Sequence, residues 1–425
     1  MRRLSELTGL AIRHRYGLTL LVYLAAAALT GLGCVLFMRG FELAAAARLD
    51  PARLGAWLAL VVPAVFLLSV ELIRRVAPFA AGTGIPQAVF AAQHLTPATE
   101  EALAPLTSLR TMAVKVLALY AVVWAGASTG REGPTVHVAT CLFLGVIVLA
   151  RRYLGLNLDL RSAIVAGGSA GLAAAFNTPL AGVTFAVEEL TVDYFSSIKD
   201  FVVISIVVAA VTAKHFTGEY LYFGRLAKPA PVELTSVVFI GIAGGLLGSF
   251  FSESLLRGHR VLSGGGRMRT VLLALGLVAL AAAAGTNVLG PGNEAAQALL
   301  RGDDGKWVVV FPFAKLGATL LTYWSGVAGG VFAPSLSIGA ALGTSIGEFL
   351  SSPTGSCAMI GMAAFLSGTI QAPITAFVII FEMTGHHDML LPIMLGSLIA
   401  FMTARALGAR HLYKTLAEPY RRLLS

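Results

Sequence analysis

Between Gly17 and Met38 the chain runs through 22 residues without a charge. As a helix rising 1.5 Å per residue, that run covers about 33 Å, enough to cross the ~30 Å hydrocarbon core of a bilayer. Leu54–Val70, Thr235–Phe251 and Val271–Val288 are further runs of this kind, and Phe201–Ala213 and Leu390–Ala404 join them if flanking residues are recruited. Residues AVILMFWYC make up 57% of the 425 and DEKR only 12%, about half the charge of an ordinary soluble domain. So little charge cannot clothe a globule of this size in water. A disordered chain, a secreted disulfide scaffold and a nucleic-acid binder are excluded, and an all-α polytopic membrane protein is expected.

The net charge of +9 lies in small groups at the ends of apolar runs rather than in one block. Examples are Arg2, Arg3, Arg13 and Arg15; Arg74 and Arg75; Arg151 and Arg152; Arg405, Arg410, Lys414, Arg421 and Arg422. Short Arg- and Lys-rich connections mark the cytoplasmic side, so both termini are expected there, with an even number of crossings. The basic start is read as leading into a retained span rather than a cleaved leader. Cys34, Cys141 and Cys357 are too few and too scattered for a disulfide framework or a zinc motif.

Other apolar stretches look too short or too broken by Gly and Pro to cross a bilayer: Val136–Ala150, Ile164–Phe176, Leu180–Val187, Val331–Leu342 and Ala376–Phe381. They carry an internal repeat. Gly130-Arg-Glu-Gly-Pro134 is followed 45 residues later by Pro179, with Glu188 nine positions on; Gly330-Val-Phe-Ala-Pro334 is followed 39 residues later by Pro373, with Glu382 nine positions on. Interrupted apolar segments in corresponding places of two halves (approximately 17–215 and 233–407) point to a transporter whose site lies at broken helix ends. One transmembrane domain over 1–425 is expected, and the roughly 18 residues after Leu407 leave no room for a cytosolic regulatory domain.

Gly130–Pro134 places Arg131 and Glu132 inside an apolar region, and intramembrane ionisable residues are costly enough to suggest function. They are adjacent in sequence and so do not face each other on a helix. Pro134 suits a first helical turn, which would set Glu132 beside free N–H groups, with that of Gly133, that could equally hold a halide. A glutamate competing with an anion for one polarised site makes a gate: ionised it fills the site, protonated it swings away. Gly82-Thr-Gly-Ile-Pro86 reads either as a helix break or as a second anion-binding helix start, with the Gly84 N–H and the Thr83 hydroxyl as donors. Gly330–Pro334 offers backbone donors at Val331 and Phe332, or packing alone. Glu188 and Glu189 are either a solvated helix end or a proton relay, Glu382 is structural, and Tyr413 is an interfacial aromatic or a hydroxyl reaching an anion. Gly126-Ala-Ser-Thr-Gly130 matches the serine nucleophile elbow but lies in a helical membrane stretch rather than at a strand–turn–helix junction. His386-His387-Asp388 has no remote partners for a metal site and reads as a loop. No enzyme is expected.

Together these segments resemble the CLC family of chloride channels and proton/chloride antiporters, whose signatures are written GSGIP, GREGP and GxFxP. Here they stand, in order, as GTGIP at 82–86, GREGP at 130–134 and GVFAP at 330–334. The run GLAAAFNTPLAGVTFAVEEL at 171–190 and Tyr413 add to the likeness. The resemblance implies two inverted repeats of tilted and broken helices, a homodimer in the lipid bilayer with one anion pathway per subunit, chloride and protons as transported partners, and no cofactor. It makes Glu132 the gating glutamate, Glu189 the inner proton-transfer glutamate and Glu188 a weaker contributor. Thr83 and Tyr413 flank the central anion, with the amides of Val331 and Phe332. With both acids present, proton-coupled exchange is expected over the alternative, a passive channel. A short C-terminus resembles the bacterial branch without CBS domains, in the inner membrane. Thr83 departs from the usual Ser, which bears on anion preference; a fluoride or nitrate exchanger is a lesser alternative.

Overall fold

The computed structural model describes the chain except residues 1, 51–53, 191–194, 219–221, 225, 263–265, 303–307 and 425. The described residues form helices joined by short turns, with two isolated backbone bridges and no extended strand among them. In chain order the first half holds α1 (Arg2–Ala46), α2 (Leu58–Val76), α3 (Ile85–His94), α4 (Leu109–Trp124), α5 (Glu132–Leu154), α6 (Leu160–Phe176), α7 (Pro179–Phe185) and α8 (Phe195–Thr217). The second holds α9 (Leu234–Leu262), α10 (Arg267–Ala284), α11 (Asn293–Leu300), α12 (Phe311–Trp324), α13 (Phe332–Phe349), α14 (Thr354–Ile370), α15 (Pro373–Thr384) and α16 (Leu390–Ala406); a short α17 (Leu412–Ala417) follows.

Each helix of the first half has a counterpart, α1 to α9 through α8 to α16. The likeness reaches backbone detail at the break between α6 and α7. Asn177 ends α6 in the left-handed region at φ 56°, and Thr178 follows at φ −127°, ψ 80°. Gln371 ends α14 at φ 63°, and Ala372 follows at φ −128°, ψ 80°. Pro179 and Pro373 then open the next helices, where a missing N–H costs nothing. Packing repeats too: α5 lies on α6 and α1 on α8, as α13 lies on α14 and α9 on α16. Apart from their first residues α6 and α14 are almost wholly buried, each at the centre of its half. Small residues permit this closeness: a Cβ at Gly171 would sit 2.5 Å from Ala139 Cβ, and one at Gly343 would sit 2.1 Å from the Cys357 carbonyl.

Eight helical stretches of the described residues are long and apolar enough to cross a membrane. They correct the expectation that Val136–Ala150 is too short, because α5 takes in Glu132 at one end and Arg151 and Arg152 at the other to reach 23 residues. A charge count ended the run where partners later accommodate the charge, as Glu100 does for Arg151 at 3.3 Å. Val331 caps an 18-residue α13 that is not among the eight, whereas the stretch Glu100–Trp124, absent from the sequence expectations, is.

Candidate functional site

The three signature segments converge where both halves break. Gly130 and Gly330 exchange backbone hydrogen bonds, N–H to carbonyl, at 2.8 and 2.9 Å. The Gly82 N–H donates to the Val327 carbonyl, and the Gly82 carbonyl accepts from Gly329, both at 3.1 Å. Reciprocal contact between equivalent residues is the mark of a two-fold relation. Gly133 lies at the junction, where an added Cβ would stand 3.0 Å from the Thr83 carbonyl and 3.6 Å from Gly330 Cα. Gly84 caps α3 at φ +94°, and a Cβ there would come within 2.4 Å of His137 Cβ; both the conformation and the space require glycine.

Glu132 is fully buried. Its Oε1 accepts from the Tyr222 hydroxyl at 2.8 Å, and its Oε2 accepts from the Ala333 N–H at 3.3 Å. The sequence placed this carboxyl beside the N–H groups of its own helix; in the fold it crosses to the first turn of α13 in the opposite half. There the helix start carries unsatisfied donors and a positive dipole end. The donor is one residue past the expected Val331 and Phe332, whose amides precede the first intrahelical bond, made by Ser335 to the Val331 carbonyl. The Phe332 ring packs on Phe176, and Phe176 on Tyr222, with centroids 5.7 and 5.2 Å apart.

Arg131 turns away from Glu132. Its Nη1 bonds Glu42 of α1, and its guanidinium stands 5.9 Å from the Tyr222 ring centroid. It lines a cavity of about 500 Å³ with Arg48, Asn287 and Glu294. The expected anion-binding position of Arg131 therefore becomes a place at a cavity wall, paired with an acid, because Glu42 from a distant helix reaches it first.

Thr83 is buried, and its Oγ1 accepts from the Ile85 N–H at 3.3 Å, which leaves the hydroxyl proton to donate. α3 packs against α17, which carries Tyr413. That side chain is fully buried, its hydroxyl has no hydrogen-bond partner among the described residues, and it lies within electrostatic reach of Glu189, Tyr323 and Glu132. Glu189 is also fully buried, and neither of its oxygens has a hydrogen-bond partner among the described residues; it lies in a π turn over Ala186–Leu190. Single π turns inside helices occur often at functional sites, and an unpartnered buried carboxyl is costly enough to be kept only for a purpose. Glu188, its neighbour, is otherwise engaged. Its two oxygens accept from Ile374 and Thr375 N–H at 3.1 and 2.6 Å, at the start of α15. Glu188, expected as a weaker contributor to a proton route, thus stands in a capping position with each oxygen accepting one backbone N–H.

Sequence reasoning missed two lysines. Lys115 Nζ donates to the carbonyls of Ala80 and Gly82 at 2.8 and 2.9 Å, clamping the loop that leads into α3. Lys315 Nζ donates to Val288 and Gly290 at 2.9 and 2.6 Å, ahead of α11. Each stands 15 residues before its repeat's glycine, Gly130 or Gly330, a spacing that could have found them. Tyr222 carries no such signal. Ser128 is buried, with Oγ 2.9 Å from Thr319 Oγ1 and its N–H donating to Thr322 Oγ1, in a turn between helices rather than an elbow after a strand. Asp388 lies 3.5 Å from Lys228 Nζ, and no cluster of metal-ligating residues converges among the described residues.

A polytopic helical membrane protein of two intertwined repeats, with a buried carboxyl at the helix start of the opposite half, is the class these features define. A family model described as "Voltage gated chloride channel" matches residues 65–405. The chain belongs to that family, the CLC family its motifs resemble. It is 30% identical to the H(+)/Cl(-) exchange transporter ClcA of Cronobacter sakazakii over 98% of its length and 92% of that protein's. With ClcA of Salmonella typhimurium the identity is 31%, at the same coverages. Among solved structures it matches a slow cyanobacterial Cl-/H+ antiporter at TM-score 0.80 and 24% identity, covering 96% of this chain and 98% of that one. A CLC-type fluoride/proton antiporter matches at 0.75 and 22%, covering 91% and 95%. At those identities the structural matches speak for the fold alone.

Proposed function

We propose that the protein exchanges chloride for protons across a bacterial inner membrane, as a homodimer in the lipid bilayer with both termini cytoplasmic. The observation that carries the reading is the Glu132 carboxyl at the first turn of α13, bonded to the Ala333 N–H. A carboxylate there fills a site whose donors suit any small anion. Protonation removes the charge that holds it, the side chain leaves, and chloride takes its place, so carboxylate and chloride exclude one another at one position and proton binding is tied to chloride entry. From the other side Glu189 exchanges protons with water and passes them inward, and the Tyr413 hydroxyl, with Thr83 and the amides of Gly84, Val331 and Phe332, holds the anion between. The curated relatives are named as H(+)/Cl(-) exchangers, which supports exchange over passive conduction. The methyl that Thr83 adds to the usual Ser narrows the site. No cofactor enters this cycle, and no enzymatic step is assigned.

The test is a liposome assay recording chloride and pH together. A chloride gradient drives protons uphill in the opposite sense. Chloride flux without proton movement would leave a passive channel, and equal coupling with nitrate or fluoride would remove the chloride assignment.

A further inference from the structure

We propose that Glu382 is a positioning residue for Glu189, acting through a closed ring of two helices and two carboxyl caps. This rests on the reading of Glu189 as the inner proton-transfer group. Glu382 Oε1 and Oε2 accept from the N–H groups of Leu180 and Ala181, at 3.1 and 2.7 Å, at the start of α7. The chain leaving α7 carries Glu188, which makes the same two bonds to the start of α15, and α15 in turn carries Glu382. Each acid thus stands near the far end of its own helix and at the beginning of the other, so α7 and α15 run antiparallel and each fixes the other's start.

The π turn, Ala186–Leu190, is centred on Glu188, the second fixed point of the first half, and Glu189 is the next residue. The equivalent stretch of α15 is regular α-helix to Thr384, and the residue in the place of Glu189 is Met383, fully buried. The halves therefore agree in the caps and differ in the turn and in the residue it presents. A π turn is an uncommon backbone state that a free helix relaxes to α. Here Glu382 holds the segment at its start and Glu188 pins the middle of the turn, while Lys414 Nζ donates to the Glu188 carbonyl at 3.2 Å. With its start and its midpoint held, the turn is kept from relaxing, and the Glu189 carboxyl stays buried with no hydrogen-bond partner among the described residues. Release of the Glu382 cap frees the start of α7, lets the turn relax, and rotates Glu189 away from its place near Tyr413.

The test uses the full-length protein in liposomes, with chloride and proton flux read on the same vesicles, for Glu382→Ala and for Glu382→Gln. The glutamine is of equal size and keeps one acceptor, so it preserves the fold if alanine does not. Asp159→Asn serves as control, since Asp159 caps α6 through Arg161 and Ser162 N–H, away from the ring. The Glu382 variants are expected to lower protons moved per chloride at least threefold and to shift the pH profile of exchange, with chloride turnover within about twofold. The control is expected to lower thermal stability with its ratio unchanged. Glu382 variants that melt earlier but keep the wild-type ratio would reduce the residue to an ordinary cap and overturn the proposal. Glu189→Gln in parallel separates the two readings: if it stays coupled, the role of Glu189 fails; if it uncouples and the Glu382 variants do not, only the positioning fails.

Discussion

The Tyr222 hydroxyl stands 2.8 Å from Glu132 Oε1 and donates to it, while the other oxygen of that carboxyl faces the Ala333 N–H. One partner comes from a loop with no motif, the other from a helix start in the opposite half. A hydrogen bond to a charged acceptor contributes about 1.5–3 kcal/mol, or about tenfold or more in how long the carboxylate keeps its place. Tyr222→Phe keeps the ring on Phe176 and beside Arg131 and removes only the hydroxyl. Chloride turnover at neutral pH is expected to rise by up to about tenfold. Unchanged turnover would mean that Tyr222 packs without holding the gate.

Glutamine at either acid separates the two halves of the cycle. In Glu132→Gln the side chain is permanently uncharged, so chloride flux persists, proton movement stops and the rise of flux as pH falls disappears. In Glu189→Gln chloride still moves and keeps its dependence on pH at the Glu132 side, but protons do not. Proton uptake by either variant at the wild-type ratio removes that residue from the route.

The repeat-related lysines make a matched pair. Lys115→Met and Lys315→Met each strip at least two carbonyls of a buried partner, at a cost of about 1–3 kcal/mol per group, so both are expected to melt earlier in detergent. Only Lys115 clamps the loop that carries Thr83 and Gly84. Its variant is expected to change chloride affinity as well, whereas Lys315→Met, once folded, is expected to transport at near the wild-type rate. Equal effects on affinity would remove the distinction.

Gly84→Ala adds a methyl 2.4 Å from His137 Cβ at a residue held at φ +94°. Left-handed strain and overpacking each cost about 1–3 kcal/mol. The expected outcome is loss of folded protein on size exclusion, and a fully stable, active alanine variant would show that this helix start can move.

His411 precedes α17 and is half-buried. Burial, then Lys414 and Arg405, push its imidazole below the ordinary histidine range. The folded protein therefore prefers it neutral and the unfolded chain binds the proton more readily, so its contribution to stability is present above the unfolded pKa of ~6.5 and falls as pH drops below it. His411→Gln is expected to flatten the acid-side fall of melting temperature, and an unchanged profile would place that loss elsewhere.

Much of the site was legible because it is written in short local patterns. Pro134, Pro179 and Pro373 mark helix starts, the glycines mark the breaks, and two acids inside apolar sequence are too costly to be incidental. The repeat even held more than was read from it. Aligning Glu188 with Glu382 and Glu189 with Met383 separates the shared cap from the acid that only one half possesses. Tyr222, Glu42 and Ala333 were not legible, since each meets its partner across a separation of at least 89 residues.

By itself the sequence determined that this chain crosses a membrane many times, in two related halves, with Glu132 and Glu189 set near helix breaks. Those are consequences of composition and of local backbone rules that act within a few residues. The tertiary structure decided which helix end each carboxyl meets: Glu132 at α13, Glu188 at α15, Glu382 at α7, and Glu189 without a hydrogen-bond partner among the described residues. The physical reason is that a helix start offers the same unpaired N–H groups wherever it lies, so only the two-fold packing of the halves selects which acid reaches it.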